Sequence, residues 1–303
     1  MTNLSYLSEI NHVILRQIMM RIKCSSVFIL LIFIGLFMSC GHSGTNAVDD
    51  GKPAVTVKSH HLSDNSSFVM SNGDRCTIVA EATIEFPVGD AEGLPLDTLQ
   101  KLFASYVLES GDSLSLNDAM QQVVANSMHQ YDFMEEPDSK DEVLEAAENE
   151  DQYILKYATS TRVTPIYNKR GVVTFERVDV VKKNDNVSSV THRYYSFDVK
   201  TQSFIDLNQL FRDDAVADVC QLLKQQLLKQ NNVASNEQLN DLGYFNVDNI
   251  TVTRNFYLSD NGVTWSYLPN ELAVEAVGEP KITISYDDLE PSFCENSILE
   301  RLK

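Results

Sequence analysis

Gly111-Asp-Ser-Leu114 is a run whose residue types could do covalent chemistry, with Ser113 as an acyl nucleophile and Asp112 beside it. A nucleophilic serine needs a strand-to-helix turn that presents it and a histidine base within hydrogen-bond reach. Here the run lies between two expected helices, and no histidine follows His192. Asp112 and Ser113 are therefore read as a turn and a helix cap. The remaining histidines offer little more. His12 precedes an apolar leader, His42, His60 and His61 sit in a polar stretch, and His129 and His192 are far apart in sequence. The adjacent His60-His61 pair lacks a zinc-type ligand frame, and the acidic run 135–151 lacks the Asp-x-Asp-x-Asp-Gly frame of a calcium loop. No Gly-x-Ser-x-Gly, His-Glu-x-x-His, Gly-x-Gly-x-x-Gly or P-loop motif is present. The expectation is a protein that is not an enzyme, with no catalytic residues, no cofactor and no metal.

Charge narrows the partners. The 303 residues carry Lys+Arg 24 against Asp+Glu 43, a net charge of -19. Phosphate backbones are held by basic surfaces, so nucleic acid is excluded as a ligand. With 43% hydrophobic residues the chain can bury a sizeable core, and five cysteines are too few for a disulfide scaffold.

The N-terminus reads as an address. Val27–Met38 is uncharged and apolar, preceded by Arg21 and Lys23 and followed by Ser39. A permanent span needs about 20 apolar residues, so the shorter run fits a secretory signal. Cys40 follows Ser39 directly, and the ending resembles a bacterial lipobox. Cleavage is expected between Ser39 and Cys40, with lipidation on Cys40. Met19 and Met20 before Arg21 offer alternative starts. Losing residues 1–39 removes Arg16, Arg21, Lys23 and Glu9, so the mature chain is more acidic still. The expected location is the bacterial cell envelope, at the outer membrane on its periplasmic or surface face.

Beyond the anchor, residues 40–66 are read as a flexible tether. Cys76–Phe86 is β-rich and ends at Pro87. Helices are expected from Pro95 or Leu96 to about Glu109 and from Ser115 or Asn117 to about Tyr131. The run 135–151 holds nine acidic residues and one Lys, which suits a solvated loop with a short helix. Strands are expected at Tyr153–Val163 and Gly171–Val181 around the turn Asn168–Gly171, and again at His192–Val199. A helix from Asp214 to Gln230 would place Val216, Val219, Cys220, Leu223 and Leu227 on one face, making Cys220 a buried thiol. Ser259-Asp-Asn-Gly262 predicts a hairpin between Thr251–Leu258 and Val263–Leu268. Lys281–Tyr286 reads as a strand, and Asn296–Leu302 as a closing helix. Trp265, the single tryptophan, is expected in the core. Spacing alone leaves the pairing of Cys76, Cys220 and Cys294 open.

The block Asn255–Leu289, with Tyr195-Ser-Phe-Asp-Val-Lys-Thr201 and Asp206-Leu-Asn-Gln-Leu-Phe211 upstream, is similar to a bacterial envelope domain of unknown function of the RsiV/PdaC type. The resemblance covers about 152–290. It implies an α+β fold of two small modules with antiparallel or mixed sheets and packed helices: a PdaC-like αβ domain at 67–150 and the RsiV-type C-terminal domain at 151–303. Relatives often carry Gly-Gly-Ala-His where this chain has Asn184–Ser189, so no role of that histidine transfers. Lysozyme binding in the RsiV-type proteins implies a binding function here, with a lysozyme-like muramidase or peptidoglycan as ligand. An enzyme acting on cell-wall glycan and a structural envelope component are the alternatives.

Overall fold

Two tight turns set up the long strands of the molecule. Between β3 (Ile154–Lys169) and β4 (Val172–Lys183), Arg170 and Gly171 have φ of 54° and 70°. Between β4 and β5 (Asn186–Asp198), Asn184 and Asp185 have φ of 50° and 65°. Left-handed backbone at both central residues gives the type I′ turn, whose twist matches that of antiparallel strands. Pro165 interrupts β3 without ending it, because the register shifts between Pro165 and Tyr167 and the bulge accommodates the imino acid. That is why the strand runs past the expected end at Val163.

The computed structural model describes residues 53–70, 74–89, 93–111, 114–131 and 154–303, all within one compact unit, Asp49–Lys303. The signal, Ser39, Cys40, Asp112, Ser113 and the acidic run 135–151 lie outside the described residues. A six-stranded sheet runs in the order β1 (Val57–Val69), β2 (Arg75–Pro87), β3, β4, β5 and β6 (Ser203–Phe204). All neighbours are antiparallel except β2 and β3. The parallel pair needs a crossover, and α1 (Leu96–Tyr106) and α2 (Leu116–His129) lie on that connection. Ser115 caps α2 by accepting the Asp118 N–H at 3.2 Å. A second sheet, β7 (Phe256–Ser259), β8 (Gly262–Ser266) and β9 (Lys281–Ile284), packs with α3 (Val216–Gln230), α4 (Asn236–Asp241), α5 (Tyr286–Leu289) and α6 (Ile298–Leu302). The result is the expected mixed α+β architecture. Among the described residues no helix is long and apolar enough to cross a membrane.

The β4–β5 hairpin is shared by two cores. Val173, Phe175 and Phe197 face the core under α1 and α2, where Phe103 meets Phe175 edge-on at 4.9 Å. Val172 belongs instead to the larger core around Trp265, which is fully buried, as expected, and stacks on Phe211 at 6.0 Å. Burial on both faces explains why β4 reads as Val-Val-Thr-Phe rather than a clean alternation.

Three expectations are corrected. Residues 57–66, assigned to the tether, belong to β1, which pairs with β2 residue for residue from Val57 to Val69. Their Ser, His, Asp and Asn composition looks solvated because most of β1 is exposed. Cys220 is only half-buried, because the buried stripe of α3 is Val219, Leu223 and Leu227 at four-residue spacing, and Val216 is exposed with Cys220 on its flank. The strand before the Ser259–Gly262 turn begins at Phe256, not Thr251.

Gly262 closes that hairpin at φ 127°, where an added Cβ would lie 2.0 Å from the Ile284 carbonyl oxygen. Gly262→Ala should lower stability by about 3 kcal/mol through strain and clash. Urea unfolding followed by Trp265 emission measures this, and an unchanged midpoint would contradict it.

Candidate functional site

The even-numbered residues of β4 and β5 build a polar cluster against the second sheet. Glu176 on β4 lies opposite Tyr194 on β5, with His192 one step along the same face. His192 Nδ1 lies 3.0 Å from Glu176 Oε1, and the Tyr194 hydroxyl donates to the same oxygen at 3.0 Å. Lys281 at the start of β9 donates from Nζ to the Tyr194 hydroxyl at 2.6 Å and lies 5.3 Å from the ring centre. Tyr194 also packs on Tyr257 of β7 at 4.6 Å. The order is thus Lys281, Tyr194, Glu176, His192, a chain of donors converging on one carboxylate.

Burial pushes the Glu176 carboxyl up, but hydrogen bonds from His192 and Tyr194 and the charges of His192 and Lys281 overcome it and hold the group below its ordinary range. A carboxylate can only accept, so Nδ1 of His192 carries the proton toward it and Nε2 is left as the other ring nitrogen. Burial, then the Glu176 charge and hydrogen bond, raise the Tyr194 phenol far above its usual value and keep it a donor.

Side chains also occupy the outer edge of β5. Asn255 Oδ1 accepts the Tyr194 N–H at 3.1 Å while its Nδ2 donates to the His192 carbonyl at 3.0 Å. Glu279 Oε1 accepts the His192 N–H at 3.0 Å. Glu279 Oε2 is buried with no hydrogen-bond partner among the described residues. Beyond His192 a groove of about 490 Å³ opens, lined by Val187, Val190, His192, Glu275, Glu279 and Lys281 among others.

Two other polar regions are closed on themselves. On the odd face of the hairpin, Asp179 accepts from Thr161 at 2.7 Å, Arg177 at 3.0 Å and Arg193 at 3.1 Å. Tyr195 donates to Glu109 at 2.8 Å, which clasps the chain after α1 to the sheet. A wider groove of about 780 Å³ lies beside Asp198 and Cys294. Its buried Asp198 is already paired with Arg301 at 2.6 Å, and Cys294 Sγ donates to the Gln209 carbonyl at 3.2 Å. The Asp179 region leaves the buried Thr159 hydroxyl without a partner, but among the described residues the charged atom so left is Glu279 Oε2, which makes the His192 groove the stronger candidate despite its smaller volume.

The histidines fall in different places. His192 joins the cluster, His129 ends α2 on the helical side of the sheet, and His60 and His61 are neighbours on β1, where successive side chains leave opposite faces. Among the described residues no group of three His, Cys, Asp or Glu side chains is placed to hold a metal. Sequence reasoning named His192 as isolated and did not single out Glu176, Asn255, Glu279 or Lys281. Their link is the strand register, for which the alternation of polar residues along β4 and β5 is the one available signal.

Residues 208–287 match the model of a protein family of unknown function, DUF3298. No curated protein matches the chain. Among solved structures, a DUF3298 family member from Bacteroides fragilis NCTC 9343 (BF2082) is similar with a TM-score of 0.64 at 18% identity, covering 83% of this chain and 99% of its own. A DUF3298 family protein from Pseudomonas aeruginosa PAO1 (PA4972) gives 0.48 at 11% identity, covering 80% and 97%. The first likeness establishes a shared fold. The matched segment supplies Asn255, Glu279 and Lys281, while Glu176, His192 and Tyr194 come from upstream of it. The cluster therefore straddles the edge of the matched segment.

Because the Glu176 carboxyl is held below its unfolded value, its contribution is complete above the unfolded pKa of about 4.3 and is lost as pH falls through the lower folded value. Glu176→Gln should cost about 2 kcal/mol near neutral pH. The gap from wild type should narrow in urea titrations as pH falls below the unfolded value of about 4.3. A gap independent of pH would contradict the charged pairing.

Proposed function

We propose that this protein is a non-enzymatic, lipid-anchored component of the bacterial cell envelope that binds a protein or glycan ligand in the groove beside His192. One observation carries the reading: an open groove meets a strand edge, exposed valines and an unpartnered carboxylate oxygen, features that a ligand can complete. The blocks within 152–290 that resemble the RsiV/PdaC-type domain support an envelope module. They make a lysozyme-like muramidase or peptidoglycan the ligands to try first. The signal-like leader and Cys40 support the anchor. The charge of -19 favours encounter with a cationic partner, an attraction that salt screens.

A second reading, hydrolysis of cell-wall glycan, draws on the 3.0 Å pairing of His192 with Glu176, a base and orienter arrangement. Against it stands the engagement of the same carboxylate by the Tyr194 hydroxyl, which is itself held by Lys281 Nζ.

Retention of lysozyme or peptidoglycan by the purified protein, strong at low salt and weaker at high salt, is the expected result. No retention of either removes the binding function. Solubilised peptidoglycan released in proportion to protein, and lost in His192→Ala, would favour the hydrolase. Cys40→Ala should abolish membrane fractionation, and an unchanged distribution would refute the anchor.

A further inference from the structure

Among the described residues, the outer edge of β5 has no continuous neighbour. Its inner edge pairs with β4 along the strand except at a bulge that skips Ser188 between Val187 and Ser189 and sets Val187 on the same face as Val190, while on the outer side β6 reaches Phe197 and Asp198. The backbone groups that face outward are identified by their partners. The Ser196 carbonyl accepts the Ile205 N–H at 2.8 Å, the Tyr194 N–H goes to Asn255, and His192 uses both its N–H and its carbonyl. In an antiparallel pair this alternates strictly, so the next outward residue is Val190, whose partner across the ladder is Val180. Side chains replace a neighbouring strand as far as His192 and then stop.

The groove begins at that point. Val187, Ser188, Ser189 and Val190 form one wall, with Pro269, Glu275, Gly278 and Glu279 among the residues opposite. Val187 is 57% exposed and Val190 37%, unusual for apolar residues beside a free sheet edge. Glu279 Oε2 is buried without a donor, which is costly unless a ligand brings one. Glu275 adds a second acid. Of the basic side chains lining the groove, Lys281 is spent on Tyr194, and His192 is turned by Nδ1 to Glu176.

We infer that the β5 edge at Val187–Val190 takes an extended, cationic peptide segment as an added strand. The segment hydrogen-bonds to the Val190 backbone, lays apolar side chains against Val187 and Val190, and gives a basic side chain to Glu279. This deepens the ligand-binding reading above and rests on it. Backbone pairing would supply affinity and the alternate pockets selectivity. Two occupants from this chain are disfavoured by charge: a second copy carries the same -19, and the run 135–151 holds nine acidic residues. The opposite edge of the sheet differs in kind. The exposed residues of β1 include Ser59, His60, Ser63, Asp64 and Asn65, a polar edge of the sort that resists pairing.

The test uses the purified full-length protein and a blocked, alternating Lys-Val hexapeptide, read by fluorescence anisotropy. Saturable binding is expected. It should weaken about ten-fold when the peptide is N-methylated at every second residue, which removes the peptide N–H that donates to the Val190 carbonyl. Val190→Pro and Glu279→Gln, with folding verified by Trp265 emission, should weaken it similarly, and an alternating Glu-Val peptide should not bind. Equal binding of the N-methylated peptide would overturn strand addition in favour of charge alone, whatever the variants do. If no hexapeptide binds but lysozyme or peptidoglycan is still retained, the added strand is wrong and the ligand-binding function stands. If nothing binds, both fall. A dimer seen by sedimentation and abolished by Val190→Pro would place a second copy in the groove and overturn the foreign segment.

Discussion

A strand caught between two cores must still satisfy the backbone groups along its edge, and β5 meets that demand with side chains. Asn255 bridges the Tyr194 N–H and the His192 carbonyl, and Glu279 takes the His192 N–H. Leaving such groups unpaired costs on the order of 1–3 kcal/mol each. Asn255 is also tied to the second sheet, since its Nδ2 donates to the Ser266 carbonyl at 3.1 Å. One side chain thus joins the two sheets at the site. The same device recurs at the other end of the β3–β4 hairpin, where Asn168 holds both the N–H and the carbonyl of Val55 at 3.0 and 2.8 Å.

The alternation of a strand turns this closure into a division of labour. Odd positions of β4 and β5 carry Arg177, Asp179, Arg193 and Tyr195 to the helical side, where they pair among themselves and with Glu109. Even positions carry Glu176, His192 and Tyr194 to the second sheet. A shift of register by one residue would exchange the two sets and bury both in the wrong company, so the paired type I′ turns are as necessary to the site as its polar residues.

Much of the scaffold is legible from local signals. Pro95 and Ser115 announce the helices, Asn168–Gly171 and Ser259–Gly262 announce hairpins, and Trp265 between Val263 and Tyr267 reads as core. What escapes reading depends on partners distant in sequence. Residues 57–66 look solvated because β1 shows most of its surface to water, and only pairing with β2 makes it a strand. Asn186–Thr191 likewise lacks a clean apolar alternation, because its valines at 187 and 190 are separated by the bulge at Ser188 and border the groove instead of a core. The site itself joins Glu176 and His192 to Asn255, Glu279 and Lys281, whose separations follow no motif. The register between β4 and β5, and the packing of β7 and β9 on them, bring these residues together.

Backbone amide hydrogen exchange along β5, resolved by residue, tests the closure most directly. Tyr194 and His192, whose amides are held by Asn255 and Glu279, should be protected, and Val190, two residues further on the same edge, should exchange freely in the absence of ligand. Protection of Val190 equal to that of His192 would mean that the edge is already occupied, and would contradict an open strand closed only by side chains.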